Sequence, residues 1–294
     1  MKLIKQSFEI LDQQCGLEGI YKQIEIAGRT CYKSEDKITD DSAKEFVDRM
    51  IKSGHGAMLE HGTVYLAIPI SEWRCTDDYR DSYISNPYSN VNDSLVDWEN
   101  NEGTVYITTN FRVLVENGWL DDLQYICEPT EYHEKRITVK FITDQGILRE
   151  FTRHRVFSFA VESTRYCNYS RSRFSNEVTF IQPNWISDED ITNYNIDFVY
   201  FTDQDANHIT AVNRFMSALK NAEYFYMELI KSGWKPQQAR NVLPLATKCD
   251  MIMTGFVSDW KHFFELRDAA SAHPQAQELA HSLHEAFIQR GLIK

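Results

Sequence analysis

The chain is 294 residues long, 43% hydrophobic and 25% charged, with a formal net charge of −12; such a chain can bury a substantial globular core. The acidic balance argues against a nucleic-acid binder, which presents a basic face, but does not exclude one local site for a small anion. No apolar run is long enough to span a bilayer, and the start MKLIKQSFEI lacks a signal-peptide core, so a cytoplasmic protein with no membrane partner is expected.

Residues 17–28 set Leu17, Ile20, Ile24 and Ala27 at the spacing of an amphipathic helix. Ser42 and Glu45 form a capping-box pattern ahead of Phe46, Val47, Met50 and Ile51, and Gly54 stands where that helix should stop. The run GHGAMLEHGTVYLAIPI leads from a polar turn into a strand over 63–70. Residues 71–135 are rich in Asp, Asn, Ser and Tyr, with a turn at 100–103 and a short strand at 105–108. They are too acidic and too poor in aliphatics to hold a core alone, and read as an insertion on one catalytic domain spanning 1–294.

The alternation in ITVKFIT from Ile137 predicts a strand, after which Asp144 caps a helix to about residue 153 with Ile147, Leu148 and Phe151 inward. A loop and strand region runs to Trp185, then a polar linker. A long helix over 213–231 carries Phe215, Leu219, Ala222, Tyr226 and Leu229 in register and ends at Gly233. Pro236 opens a short helix that Pro244 ends, Ser258 caps SDWKHFFELRDAA, and Pro274 opens a last helix with Leu279, Leu283 and Phe287 inward. Strands and helices are segregated more than alternated, which favours an α+β fold.

Motif searches remove several chemistries. The six cysteines (Cys15, Cys31, Cys75, Cys127, Cys167, Cys249) include no CxxC pair, which favours isolated thiols over structural zinc or a disulfide framework. Neither GxGxxG nor GxxxxGK[ST] occurs, so side chains must hold any bound phosphate. His55, Glu60 and His61 fit neither HExxH nor HxxEH, and no metal site is expected there; the segment is a loop entering a strand or a ligand-contacting turn. A GxSxG elbow is also missing.

The stretch RHRVFSFAVESTRY at 153–166 places Arg153, His154, Arg155 and Arg165 among Phe157, Phe159, Val161 and Tyr166. Alone, basic residues at a helix end, such as Arg149 and Arg153 four apart, meet its dipole, and Glu150–His154, also four apart, is an ordinary surface pair. Two further arginines stand on apolar stripes: Arg267 after Trp260, Phe263 and Phe264, and Arg240 beside Ala239, Val242 and Leu243. Such arginines need an anion or dense acceptors, a neighbouring carboxylate being the simpler partner. Together Arg153, Arg155, Arg165, Arg240 and Arg267 supply forked donors suited to phosphate, with Ser163 and Thr164 adding hydroxyls. That combination fits a nucleotide, a flavin, or both.

Arg153-His154-Arg155 followed after seven residues by Ser163 resembles the RHR-x7-S signature of the flavin-dependent thymidylate synthases. HGAMLEHGT, STRYCNYS, ARNVLPLATK, DWKHFFELR and AHPQAQELA resemble further blocks of that family in the expected order. The resemblance implies an α+β domain of mixed helices and antiparallel-rich sheet, assembled as a homotetramer with active sites lined by several subunits. It implies conversion of dUMP to dTMP with tightly bound FAD, NADPH as reductant and methylenetetrahydrofolate as carbon donor. By the same resemblance His55, Ala57, Glu60, Arg153, His154, Arg155, Val161 and His262 correspond to FAD contacts. Glu150, Arg153, Glu162, Ser163, Thr164, Arg165, Arg240 and Arg267 correspond to dUMP contacts, Arg267 being the catalytic group that polarises the uracil ring. The chain departs from the commoner pattern at Ala57, Ala160, Val161, Thr164, Phe256 and His262. A flavin- or nucleotide-binding protein of the same fold without synthase activity is the alternative.

Overall fold

A computed structural model describes residues 1–73, 83–192 and 210–294; Cys75 and most of the linker expected after Trp185 lie outside the described residues. Two short strands, β1 (Lys2–Ile4) and β8 (Thr179–Ile181), pair in parallel. The main sheet is antiparallel, in the order β2 (Ser7–Leu11), β6 (Arg136–Asp144), β9 (Lys248–Phe256), β7 (Ser158–Val161). A second antiparallel sheet has β5 (Thr104–Asn110) between β3 (Thr63–Pro69) and β4 (Asn90–Asn92). Helices among the described residues include α1 (Gly16–Tyr32), α2 (Ser42–Ser53), α3 (Gly56–Leu59), α4 (Phe111–Asn117), α5 (Gln145–Phe151), α6 (Asp188–Thr192), α7 (Ala211–Lys231), α8 (Pro236–Ala239), α9 (Val257–Arg267) and α10 (Pro274–Gln289). This is the expected α+β class with antiparallel-rich sheet.

β9 pairs with β6 from Arg136↔Phe256 to Asp144↔Lys248, and its residues 249–255 are buried. Its sequence CDMIMTG carries apolar groups toward both faces because both faces are covered. On one face Val139, Phe141, Met251 and Met253 pack with Phe151 of α5, Trp260 and Phe263 of α9, and Leu283 and Phe287 of α10. On the other face, Ala160 and Ile252 meet Ala27 of α1. The same α1 turns Ile20 and Ile24 into a second core with Phe46 and Val47 of α2, Val64 and Leu66 of β3, and Ile107 of β5. One helix therefore links two cores. At Gly28 a Cβ would stand 2.3 Å from the Phe46 ring, so only glycine lets α1 and α2 approach this closely.

Several boundaries differ from the sequence reading. Leu17 and Ile51 are exposed, at the edge of their helical stripes. Ser42 does not cap α2: its hydroxyl accepts from Thr39 N and donates to the buried Glu25 carboxylate (2.8 Å), whose burial demands a donor. α5 stops at Phe151 rather than near 153, with the Thr152 hydroxyl donating back to Leu148 O at 3.0 Å. At α9 the Asp259 carboxylate, not Ser258, caps the start by accepting from Phe256 N at 2.9 Å. Among its described residues, region 71–135 holds β4, a longer β5 and the unexpected α4; Val105, Ile107, Phe111 and Leu114 enter the core shared with α1 and β3. Pro236 and Pro274 open their helices as expected. Among the described residues no helix is long and apolar enough to cross a membrane.

Candidate active site

The turn after α5 explains the alternation in RHR. Phe151 and Phe157 are buried anchors, so the backbone between them curls over the core edge, leaving Arg153 and Arg155 exposed and turning His154 inward (7% exposed). The His154 ring packs 5.1 Å from Phe263 and 6.2 Å from Phe157. Arg267, at the end of α9, donates from Nε to His154 Nε2 (3.0 Å), from Nη1 to Glu150 Oε2 (2.8 Å) and from Nη2 to Glu150 O (2.7 Å). An imidazole that accepts from a guanidinium is neutral and carries its proton on Nδ1. Burial, then the charges of Arg267 and His262, pull His154 down to about 4. Arg267 thus bridges Glu150 and His154; the expected four-apart Glu150–His154 pair is replaced by this bridge because the helix ends between them. Of the five guanidinium N–H groups, three are engaged and two remain.

A second group forms beyond β7. Ser163 N donates to Cys31 O (2.9 Å), tying the segment to the end of α1, and Arg240 Nη1 donates to Thr164 Oγ1 (2.9 Å). Arg165 is exposed, its guanidinium 5.5 Å from the Tyr166 ring centroid. Ser163, Thr164, Arg165 and Arg240 are brought together; no hydrogen bond or ion pair among the described residues joins them to the Arg267 group. Val161 is half-buried at the end of β7. Glu162 faces inward instead, 3% exposed, accepting from Lys248 Nζ (2.8 Å), Asp250 N (3.2 Å) and Tyr169 Oη (3.3 Å). Lys33 also contacts Asp250. Burial opposes the charge on Lys33, but Asp250 and Glu162 outweigh it and hold the amine above the ordinary lysine range. Lys33, Lys248 and Asp250 escaped the sequence reading; the only signal was the position of Lys248 at the end of ARNVLPLATK.

In the HGAMLEH segment His55 and Ala57 are exposed, while Glu60 is half-buried and paired with Arg112 Nη1 of α4 at 2.5 Å. Arg112 also escaped the sequence reading, since α4 itself did. His61 is fully buried with Nδ1 2.8 Å from Thr254 Oγ1; burial, then Arg136, lowers it to about 3, so it too is neutral. Among the described residues no group of three His, Cys, Asp or Glu side chains is arranged to hold a metal ion. His262 is exposed, its Nδ1 3.2 Å from Glu265 Oε2 and its ring 6.3 Å from that of His154.

Residues 129–290 match the family model described as thymidylate synthase complementing protein. The chain belongs to that family. The matched segment includes both arginine groups and His262; His55, Ala57 and Glu60 precede it. Among similar curated proteins, the probable flavin-dependent thymidylate synthase of Paramecium bursaria Chlorella virus 1 is 26% identical over 153 residues, 52% of this chain and 66% of that protein. The flavin-dependent thymidylate synthase of Haloarcula marismortui is 26% identical over 161 residues, 53% of this chain and 64% of that protein. The chain therefore spans just under two thirds of the length of these family relatives. A solved UMP/dUMP methylase from Streptomyces cacaoi, bound with 5-Br dUMP, is 19% identical with a TM-score of 0.43, over 98% of this chain and 93% of that one.

Proposed function

We propose that this chain, as one catalytic domain, is a flavin-dependent thymidylate synthase that converts dUMP to dTMP. Methylenetetrahydrofolate donates the carbon and NADPH the reducing equivalents. The observation that carries the reading is the Arg267–Glu150–His154 arrangement: a guanidinium fixed at three nitrogens, half-buried, with two N–H groups to spare. When C5 of uracil acts as nucleophile, negative charge develops along N3–C4–O4, and a pre-positioned cation stabilises it without reorganising at the moment of reaction. The protein then needs no nucleophile of its own.

Arg153 and Arg155 are exposed and have no ion-pair partner among the described residues, while neutral His154 keeps an Nδ1 donor beside them. That donor set fits FAD, whose pyrophosphate and ring edge need cations and N–H groups, with His55, Ala57, Glu60, Val161 and His262 as further contacts. The redox chemistry is what FAD supplies when bound. Ser163, Thr164, Arg165 and Arg240 hold the dUMP phosphate, and Glu162 braces that segment through Lys248 rather than touching ligand. No hydrogen bond or ion pair among the described residues joins the two arginine groups, and a homotetramer in the cytoplasm, with subunits sharing each site, completes the reading.

The test is spectroscopic and kinetic. The purified chain should show a flavin absorbance spectrum that dUMP perturbs, and should release tritium from C5-labelled dUMP when NADPH and methylenetetrahydrofolate are supplied. A colourless chain that takes up no FAD overturns the flavin assignment. A flavin-loaded chain that releases no tritium leaves a binding protein without synthase activity.

A further inference from the structure

Arg136 opens β6 and is 7% exposed. Its guanidinium donates from Nη1 to Glu60 O (3.1 Å) and Thr63 Oγ1 (3.5 Å), and from Nη2 to Ser158 Oγ (3.4 Å). The Phe256 ring centroid is 5.6 Å from its Cζ. All these acceptors are neutral, and two are at the limit of hydrogen-bond reach. The two carboxylates whose charges act on it are committed elsewhere, Glu60 to Arg112 and Asp259 to Phe256 N. Burial pulls this guanidinium down to about 10, yet at neutral pH it stays cationic. A buried cation without a contacting anion is costly, and most such groups in proteins are paired.

Arg136 lines a cavity of about 220 Å³ bounded by the loop after β2, by β3 and by β6. Lys135 adds a second cation to the lining. The Tyr65 hydroxyl accepts from Arg136 N (3.2 Å), which leaves its own O–H to donate, and burial raises this phenol so that the proton stays. Leu11, Ile126 and Leu292 give apolar wall. Asp12, also in the lining, is taken up by Arg290 at 2.9 and 3.0 Å. The residues assigned above to FAD and dUMP do not line this cavity.

We propose that this cavity is a separate ligand site for a small monoanion with an apolar body, an aromatic or short branched carboxylate, whose carboxylate seats between Arg136 and the Tyr65 hydroxyl. The volume is below that of pockets for drug-sized molecules, which limits the guest to roughly ten non-hydrogen atoms. Forked guanidinium donors match a carboxylate, and the apolar walls exclude a fully hydrated ion.

Cys15 and Cys127 line the same cavity and report on its occupancy. The probe is benzoate, added to the full chain, with iodoacetamide labelling at mildly alkaline pH followed by peptide mapping. Saturating benzoate should slow labelling of Cys15 and Cys127 by about tenfold or more while Cys31 is unaffected, and should raise the melting temperature by roughly 5 °C at a hundredfold excess over Kd. Benzyl alcohol, a neutral aromatic of similar size, and inorganic phosphate should do neither. Arg136 variants risk misfolding, so Tyr65→Phe and Lys135→Ala serve as the mutational arms; Tyr65→Phe should weaken benzoate about tenfold. Absence of protection overturns the proposal. So does benzyl alcohol matching benzoate, phosphate matching it, or both variants binding benzoate as the unaltered chain does.

Discussion

Replacing Arg267 with alanine separates its structural role from the catalytic one proposed for it, because the two carry different magnitudes. For stability, the Glu150 side chain is 32% exposed, so solvent screens that ion pair and its contribution is under about 1 kcal/mol. The hydrogen bonds to Glu150 O and to buried His154 add about 1 kcal/mol between them after water competes at half-buried Glu150. The sum, about 2 kcal/mol, lowers the melting temperature by roughly 3 °C and leaves the chain folded at 25 °C. For turnover, loss of a pre-positioned charge donor at the reacting ring costs about 10²–10³ in kcat. The assay is tritium release from C5-labelled dUMP, with flavin content read from the absorbance of the same sample. Arg267→Lys keeps the charge but loses the fork, and should fall between the two. An alanine variant that is folded, flavin-loaded and within about threefold of the unaltered chain in tritium release would refute the assigned role.

Acid should destabilise the protein through its neutral histidines. His154 is depressed from 6.5 to about 4 and His61 from 6.5 to about 3. The unfolded chain therefore binds protons first, and stability complete above pH 6.5 is lost as pH falls toward 4, by about 2–3 kcal/mol for His154. Melting temperature against pH should show that slope, and His154→Gln should flatten it. Lys248→Met removes the cation from two buried carboxylates, Glu162 and Asp250; because Lys33 stays, the cost should be about 3 kcal/mol, and a denaturation midpoint shift worth less than about 1 kcal/mol would contradict the pairing. Gly28→Ala should destabilise by about 1–3 kcal/mol despite the better helix propensity of alanine, since Phe46 is held between Arg29 and Arg49 and cannot yield to a new Cβ. Urea unfolding decides the sign.

Elements with strong local pattern were legible in the chain. The 3.6-residue stripes of α7 and α10, the alternation in β6, and Pro236 and Pro274 at helix starts all read correctly, because periodicity and proline geometry are properties of neighbours in sequence. Caps were less legible: Ser42 and Asp259 each took the partner that burial or position offered, and a carboxylate buried from elsewhere, Glu25, outcompeted the local capping box. α4 was lost inside a polar region whose apolar residues have meaning only against α1 and β3.

The local sequence sufficed for the α+β class, since residue chemistry and order along the chain carry that information, and the same chemistry put forward RHR, Ser163, Arg240 and Arg267 as the functional set proposed above. Which atoms meet was left to the packing of β9 between helices. That packing turns His154 inward while its flanking arginines face water, brings α9 back so that Arg267 closes on Glu150, and withdraws Glu162 into a buried lysine network. Each outcome depends on contacts between residues about a hundred positions apart, set by strand register and by the need of every buried charge for a partner, and such distances leave no trace in local periodicity.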